Sequence, residues 1–220
     1  MLDVGSRDAG HALELARRFG CRCVAIDPVA LHRQQMSRTI AEAGLESQVT
    51  AVQAAIEALP FADASVDAIW CRDVLNHVDL PHGFAESARV LKPGRFMLIY
   101  VTLATDQCEP REAARLFAAL AIVPRNMRPK YFEGCACSAG FAIDLIDWID
   151  SEWREHAIES GDRWEELKAL LQIARMRRQE DKLALRYGRK QYEAAYAGEL
   201  WGIYQLLGKL CPTIYRLRKA

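Results

Sequence analysis

The sequence has no surplus charge of either sign, no apolar run long enough to cross a membrane, and no secretion signal. Lysine plus arginine and aspartate plus glutamate number 29 each, for a formal net charge of +0. No net field therefore draws the chain to nucleic acid or to an anionic lipid surface. A membrane-spanning helix requires ~20 apolar residues in succession. These absences argue against nucleic acid as a partner and against a membrane span.

The seven cysteines lack the spacing of a metal finger. Two Cys-x-Cys pairs occur, Cys21 with Cys23 and Cys135 with Cys137, but no histidine or second cysteine pair follows at zinc-binding distance. An odd number of scattered cysteines is typical of reduced thiols, several of them buried as small hydrophobic residues. We therefore expect a cytoplasmic protein without a metal site.

The most informative stretch is the beginning of the chain. A short apolar strand runs into a turn containing Gly5 and Gly10, a helix follows over 11–19, and a second strand, 23–26, ends at Asp27. Such a unit offers backbone N–H groups at a helix start and a carboxylate that accepts hydrogen bonds from both ribose hydroxyls of an adenosine cofactor. Nicotinamide cofactors and S-adenosylmethionine both use it, and a plain turn with an incidental aspartate has the same pattern.

Strand-length apolar runs alternate with helical patterns through residue 101. The pattern predicts helices over 31–43 and 82–90, strands over 49–53, 67–71 and 96–101, and a turn at 92–94. This alternation predicts an α/β fold of the Rossmann-like, doubly wound type with a mainly parallel sheet. At 220 residues the chain is long enough for one domain, or for one domain with a large insertion.

Beyond Thr105 the pattern is mainly helical. We expect a helix over 109–121, a polar connector over 126–132, a short helix over 135–140 and a strand over 141–149. Asp162 and Glu165 resemble a capping box, and Trp164, Leu167, Leu171 and Ala174 share one helix face.

A second helix face carries Tyr192, Tyr196, Leu200, Ile203, Leu207 and Leu210, and Cys211-Pro212 is expected to end that helix. Packing accounts for the aromatic stripe better than a substrate cage does, since helical spacing alone requires a buried face. We therefore expect a core over 1–149, a helical insertion or lid over 150–211 before the last strand, and a closing strand within 212–220.

Four sequence marks occur in a characteristic order within the first half of the chain. They are Leu-Pro-Phe at 59–61, Ser-Val-Asp at 65–67, Val-Leu-Asn-His at 74–77 and Arg-Val-Leu-Lys-Pro-Gly at 89–94. In this order and spacing the chain resembles class I S-adenosylmethionine-dependent methyltransferases, in the group called methyltransferase domain 11. The resemblance is strong over about residues 1–101 and loose beyond. A nicotinamide-dependent dehydrogenase has no reason to carry the four marks together.

The resemblance implies S-adenosyl-L-methionine as cofactor and methyl transfer to nitrogen or oxygen of a small-molecule acceptor. The cofactor-binding residues that it implies are Asp3, Gly5, Ser6, Gly10, Asp27, Pro28, Ile56, Glu57, Arg72 and Asp73. His77, one turn beyond the fourth strand, is the expected base for an acceptor that must lose a proton. The alternative is that His77 caps or packs within its own helix.

The sequence departs from the family pattern at the cofactor site. Arg7 and Ala9 stand where the first motif normally has glycines, and Ala54-Ala55 precedes Glu57 where a Gly-Asp pair is common. A first strand of about four residues also predicts that a segment is missing upstream. These departures keep a second hypothesis open, a catalytically inactive methyltransferase-fold protein that acts as a binding or scaffold subunit. Whether the chain forms a homo-oligomer is also open.

Overall fold

The computed structural model describes residues 1–161 and 165–220, and it leaves out the side chains of Ala157 and of Glu165 to Leu167 as well. The strands are β1 (Leu2–Val4), β2 (Cys23–Asp27), β3 (Val49–Gln53), β4 (Val66–Arg72), β5 (Leu91–Ala104), β6 (Phe141–Trp148) and β7 (Leu210–Lys219). The helices are α1 (Gly10–Phe19), α2 (Ala30–Glu42), α3 (Leu80–Val90), α4 (Pro110–Ala119), α5 (Pro129–Ser138), α6 (Glu152–Glu159), α7 (Glu165–Arg178), α8 (Glu180–Tyr187) and α9 (Arg189–Leu206). A 3₁₀ helix spans Pro124–Met127.

The strands form one seven-stranded sheet in the order β3-β2-β1-β4-β5-β7-β6. The pairs β1–β2, β1–β4, β2–β3 and β4–β5 are parallel, and β7 runs antiparallel. The strand order reverses between β1 and β4, and such a switch point opens a crevice at the carboxyl ends of the strands. The prediction of a Rossmann-like, doubly wound α/β sheet with helices inserted before the last strand is confirmed.

Side chains that alternate along the central strands fill both sides of the sheet. Leu2 lies in register with Ile69, and Ile69 with Met97. All three are at most 1% exposed, so this face has a continuous apolar layer. On the other face, α1 and α2 pack Ala12 and Met36 against β2 and β3. The parallel strands are held by burial of their branched and small apolar side chains.

The polar connector predicted over 126–132 is wrong. α5 begins at Pro129 and extends to Ser138, so it replaces the connector and the separate short helix over 135–140. Proline is compatible with the first turn of a helix because the N–H that it lacks has no intrahelical partner there. Phe132 and Ala136 are fully buried on this helix, and their burial stabilises it.

Two predicted breaks lie inside strands instead. The turn at 92–94 falls within β5, where the pairing shifts from Val66 opposite Leu91 to Ala68 opposite Phe96. Gly94 has φ +70° there, and the extra residues are accommodated as a bulge. Cys211 and Pro212 do not end a helix: α9 stops at Leu206 and both residues belong to β7.

The predicted capping residue Asp162, together with Trp164 and the side chain of Leu167, lies outside the described residues. Within 1–161 and 165–220, no helix has both the length and the apolar character required to cross a membrane.

The chain divides into two compact units. The core unit comprises 1–101, 130–147 and 214–220, and the helical unit comprises 102–129 and 148–213. All of the predicted cofactor-binding residues and His77 lie in the core unit.

Candidate active site

The loop between β1 and α1 has the backbone shape of a glycine-rich turn although it contains few glycines. Gly5, Arg7 and Ala9 have φ angles of +72°, +51° and +69°. These are the three positions where the family pattern has glycine, and non-glycine residues rarely adopt this left-handed conformation. The loop therefore keeps the glycine geometry at two positions where the sequence departs from the motif.

Gly5 has no room for a side chain. A Cβ atom built on Gly5 would lie 2.1 Å from Cγ2 of Val74. The amides of Gly5 and Ser6 both donate to the carbonyl oxygen of Ile26, at 2.9 Å each. These two bonds fix the loop against the end of β2.

Asp27 lies at the tip of β2, is 6% exposed and already has three protein donors. Its Oδ1 accepts from the amide of Val29 at 2.9 Å and from Nδ1 of His32 at 2.9 Å. Its Oδ2 accepts from the amide of Arg7 at 3.2 Å. A carboxylate offers about four acceptor positions, so Asp27 can accept one further hydrogen bond without losing a protein partner.

Asp3, the acidic residue of the first motif, lies in β1 and is hydrogen-bonded to the β1–α1 loop. It is 1% exposed, and its Oδ2 accepts from the hydroxyl of Ser6 at 2.5 Å. Burial raises the pKa of the Asp3 carboxyl, and the Ser6 hydrogen bond opposes that shift. Gly10 begins α1, and its amide donates to Oδ1 of Asp8 at 3.0 Å. The structure thus brings Asp3, Ser6 and Gly10 to one loop.

The residues predicted after β3 approach the start of α3. The amide of Ala54 donates to the carbonyl oxygen of Asp27 at 3.2 Å, so this segment starts beside the β2 tip. Ile56 is 3% exposed, and its Cγ2 lies 3.4 Å from a Cβ built on Gly83 of α3. Glu57 accepts a hydrogen bond from the amide of Asp79 at 3.3 Å.

Arg72 and Asp73 leave the end of β4 and meet the first turn of α1. Nη1 of Arg72 donates to Nε2 of His11 at 3.1 Å, and Nε of Arg72 lies 3.5 Å from Oδ2 of Asp73. Burial raises the pKa of the Asp73 carboxyl, and Arg72, followed by His77 and His11, opposes the shift. Asp73 has φ +53°, so β4 ends in a sharp change of direction.

His77 is exposed and is electrostatically coupled to Asp73. Its amide donates to the carbonyl oxygen of Val74 at 3.0 Å. The histidine thus lies in the segment beyond the β4 tip, as predicted, and α3 begins only at Leu80. Asp79 is the N-cap of α3, so His77 lies just before that helix, and its role as a base stays a prediction.

Sequence reasoning missed His11, His32 and Val74. The ring of His11 lies edge-on to Trp70, with 5.9 Å between the centroids, and His32 is the third residue of α2. His11 directly follows Gly10, and His32 lies five residues after Asp27; this proximity in sequence is the signal that could have identified them. Val74 belongs to the Val-Leu-Asn-His mark, but the mark does not reveal its contact with Gly5, which depends on the pairing of β1 with β4. Among the described residues, no histidine, cysteine and carboxylate side chains gather as a metal site.

Comparison with known proteins agrees with this geometry. Residues 2–99 match a family model described as a methyltransferase domain. Dimethylglycine N-methyltransferase from Parasynechococcus marenigrum (strain WH8102) is 34% identical over 110 residues, covering 50% of this chain and 39% of that protein. The matched segment thus spans well under half the length of this curated relative.

Two solved structures share the fold over nearly the whole chain. A protein from Galdieria sulphuraria assigned as a sarcosine dimethylglycine methyltransferase has a TM-score of 0.75 at 19% identity, covering 100% of this chain and 77% of that one. The [4+2]-cyclase SpnF has a TM-score of 0.75 at 20% identity, covering 99% and 74%. At such identities the likeness establishes the fold alone.

Proposed function

Because residues 2–99 place this chain in the methyltransferase domain family, we propose that it transfers a methyl group from S-adenosylmethionine to a nitrogen or oxygen atom of a small-molecule acceptor. The observation that carries the proposal is the β1–α1 loop. It keeps left-handed backbone angles at residues 5, 7 and 9 although two of the three are not glycine. Such angles are costly for Arg7 and Ala9, and strained backbone of this kind clusters at functional sites.

The residues present fit the adenosine half of the cofactor. Asp27 has one acceptor position left, which suits one ribose hydroxyl, whereas the sequence alone suggested that it would accept from both. Gly10 begins α1, and the partial positive charge of a helix N-terminus favours an electron-rich ligand group. Ile56 and Glu57 are proposed to border the adenine, and Arg72 and Asp73 the remaining part of the cofactor.

The chain's contribution to the reaction is mainly alignment. When bound, S-adenosylmethionine supplies an electrophilic methyl group. Holding two reactants in line supplies about 7–11 kcal/mol of the barrier reduction without a covalent intermediate. His77, which is exposed in the segment after β4, is assigned the role of the general base that accepts a proton from the acceptor. An acceptor that reacts without losing a proton does not need His77.

The test is calorimetric titration with S-adenosylhomocysteine, the demethylated product, which binds without turnover. We expect saturable binding by the unmodified chain and about 10- to 150-fold weaker binding by Asp27→Asn, since a hydrogen bond to a charged group contributes about 1.5–3 kcal/mol. Asp106→Asn is the matched control, because Asp106 is an exposed aspartate in the helical unit. An unchanged dissociation constant in Asp27→Asn would remove Asp27 from the site, and no binding by the unmodified chain would remove the proposed function.

A second candidate is the inactive methyltransferase-fold protein. The observation that favours it is the crowding at Asp27, whose carboxylate is 6% exposed and shared among three protein donors. Arg7→Gly separates the two candidates. Tighter cofactor binding in Arg7→Gly means that the arginine obstructs the site, and weaker binding means that it pairs with the cofactor's carboxylate. Absence of binding in both forms supports the inactive protein.

A further inference from the structure

The helical unit contains an open cavity of about 1210 Å³, and none of its lining residues belongs to the candidate active site. It lies along α4 and α9 and is bounded at one end by the start of α8 and the end of α7. Its lining includes Arg111, Arg115, Arg177, Tyr192, Tyr196 and Tyr204. All of them belong to the helical unit.

The inner wall of the cavity is a stripe of tyrosines on α9. Tyr192, Tyr196 and Tyr204 recur at multiples of four residues, which places them on one side of the helix. The rings of Tyr192 and Tyr196 are stacked, with 6.1 Å between centroids and an interplanar angle of 25°. The stripe that helical spacing identified as a packing face therefore also forms the wall of a cavity.

Tyr192 has a polar group without a protein partner. It is 7% exposed, yet its hydroxyl makes no hydrogen bond to any of the described residues. Burial raises the pKa of this phenol, so the hydroxyl remains a donor at neutral pH. This oxygen is not among the fully enclosed unpaired polar atoms of the described residues, so it is accessible and can bond to a ligand in the cavity that Tyr192 lines.

Among the described residues, five cationic side chains and three carboxylates line the cavity, an excess of two positive charges: Arg111, Arg115, Arg177, Arg189 and Lys190 against Glu112, Glu180 and Glu193. Glu112 is paired with Lys209 at 2.5 Å, and Glu180 with Arg189 at 2.6 Å. Three further lining arginines, at positions 111, 115 and 177, form no ion pair with a described residue. The whole chain has a net charge of +0, so this excess is local.

We propose that this cavity binds a small amphiphilic anion, with a phosphate or carboxylate head among Arg111, Arg115 and Arg177 and an apolar body along the tyrosine wall. Arginine binds planar and tetrahedral oxyanions with several N–H donors at once. Tyrosine rings also attract cations, but the excess of cationic side chains in the lining repels a cationic ligand. The site lies entirely in the helical unit and does not depend on the cofactor site.

Four probes test separately whether binding requires the anionic head and the apolar body of the proposed ligand. Octyl phosphate has both, inorganic phosphate has the head alone, octanol has the body alone, and octyltrimethylammonium has the opposite charge. We expect calorimetric titration of the full chain to give saturable binding of octyl phosphate below its micelle concentration and at least about tenfold weaker binding of the other three. Equal binding of inorganic phosphate, or preference for the ammonium probe, would overturn the proposal.

A further arm distinguishes a free ligand from a membrane lipid. Vesicles of phosphatidylglycerol should not sediment the chain, because the proposed ligand is a single small molecule. Sedimentation with these vesicles without binding of monomeric octyl phosphate would assign the arginines to a lipid surface and overturn the proposal.

Substitutions locate the site. Arg111→Gln combined with Arg115→Gln should weaken octyl phosphate binding at least about tenfold, and Tyr192→Phe, which removes only the hydroxyl, about three- to tenfold. Arg175→Gln is the matched control, since Arg175 is exposed on α7 and does not line the cavity. Equal effects of the control and the double variant would show non-specific charge attraction and overturn the proposal. Cofactor binding should stay unchanged in all these variants, so failure here is separate from failure of the proposed function.

Discussion

Single residues in the β1–α1 loop show how much conformational cost the core unit tolerates. Arg7 and Ala9 hold left-handed backbone angles, at a cost of about 1–2 kcal/mol each for a non-glycine residue. The amides of Gly5 and Ser6 bonded to Ile26, and the amide of Arg7 bonded to Asp27, hold the loop in place. The loop shape is therefore imposed by its hydrogen bonds to the β2 end and not by the intrinsic preference of its residues.

Arg7→Gly should raise the free energy of unfolding by about 0.5–1 kcal/mol. The substitution removes the left-handed strain of about 1–2 kcal/mol, and the greater freedom of glycine in the unfolded chain offsets part of the gain. Urea unfolding measures this change in the free energy of unfolding. Ala64→Gly is the control, because Ala64 is exposed with φ +50° and should gain a similar amount. A destabilised Arg7→Gly would mean that the arginine side chain makes a stabilising contact.

Asp3→Asn should be more stable than the unmodified chain at neutral pH but not in acid. The pKa of Asp3 is raised by burial above its ordinary value of 3.8, so folding favours the protonated form. Below that value the carboxyl is neutral in both states, and the variant has no advantage on this account. As pH rises through the folded pKa, the unmodified chain loses stability and asparagine does not. Urea unfolding at a series of pH values checks the sign, and an advantage that shrinks with rising pH would contradict it.

At the scale of the elements, the close approach of β1 to the segment after β4 depends on one glycine. β1 pairs with β4 in parallel register, Val4 opposite Cys71. Three residues beyond Cys71, Val74 reaches Gly5. The β1–β4 ladder holds the ends of both strands side by side, and this places Val74 against Gly5. The carboxyl ends of these two strands form the switch point of the sheet, where the candidate active site lies.

Gly5→Ala should destabilise the chain by about 2–5 kcal/mol, since it adds a clash with Val74 to the strain of φ +72°. Gly20→Ala is the control: Gly20 has φ +61° but nothing within 4 Å of a built Cβ, so only about 1–2 kcal/mol of strain is expected. Adding Val74→Ala to Gly5→Ala should recover part of the loss. Equal losses for Gly5→Ala and Gly20→Ala in urea unfolding would show that the contact with Val74 does not matter.

Much of the fold follows from apolar periodicity, and the failures have physical causes. The strands from β1 to β4 and the helices α1 to α3 agree with the predicted pattern to within about two residues at each end. The prediction for 126–132 is wrong because proline is compatible both with a loop and with the first turn of a helix. The burial of Phe132 favours the helix, and the sequence alone does not reveal it. That the residues of the first motif lie together could be predicted from the sequence, whereas the contact of His11 with Arg72 joins two elements separated by 61 positions.

At the scale of the whole molecule, equal numbers of positive and negative residues give an isoelectric point of about 7.0. Molecules without net charge repel one another least, so solubility should pass through a minimum close to pH 7 and rise on both sides. Precipitation with polyethylene glycol across pH 5–9 measures this. Glu42→Lys and Arg33→Glu change exposed α2 residues and should move the minimum up and down in pH respectively. If the pH of minimum solubility stays the same in both variants, exposed apolar side chains, and not net charge, control solubility.

The position of β7 between β5 and β6 has a consequence for synthesis on the ribosome. Translation produces β6 about 60 residues before its neighbour, because β7 begins only at Leu210. Until β7 leaves the exit tunnel, β6 lacks the strand that pairs with it, and the edge of β5 that will face β7 stays open. The nascent chain therefore carries two unpaired strand edges while the residues between β6 and β7 are made, and such edges are prone to pair with other chains.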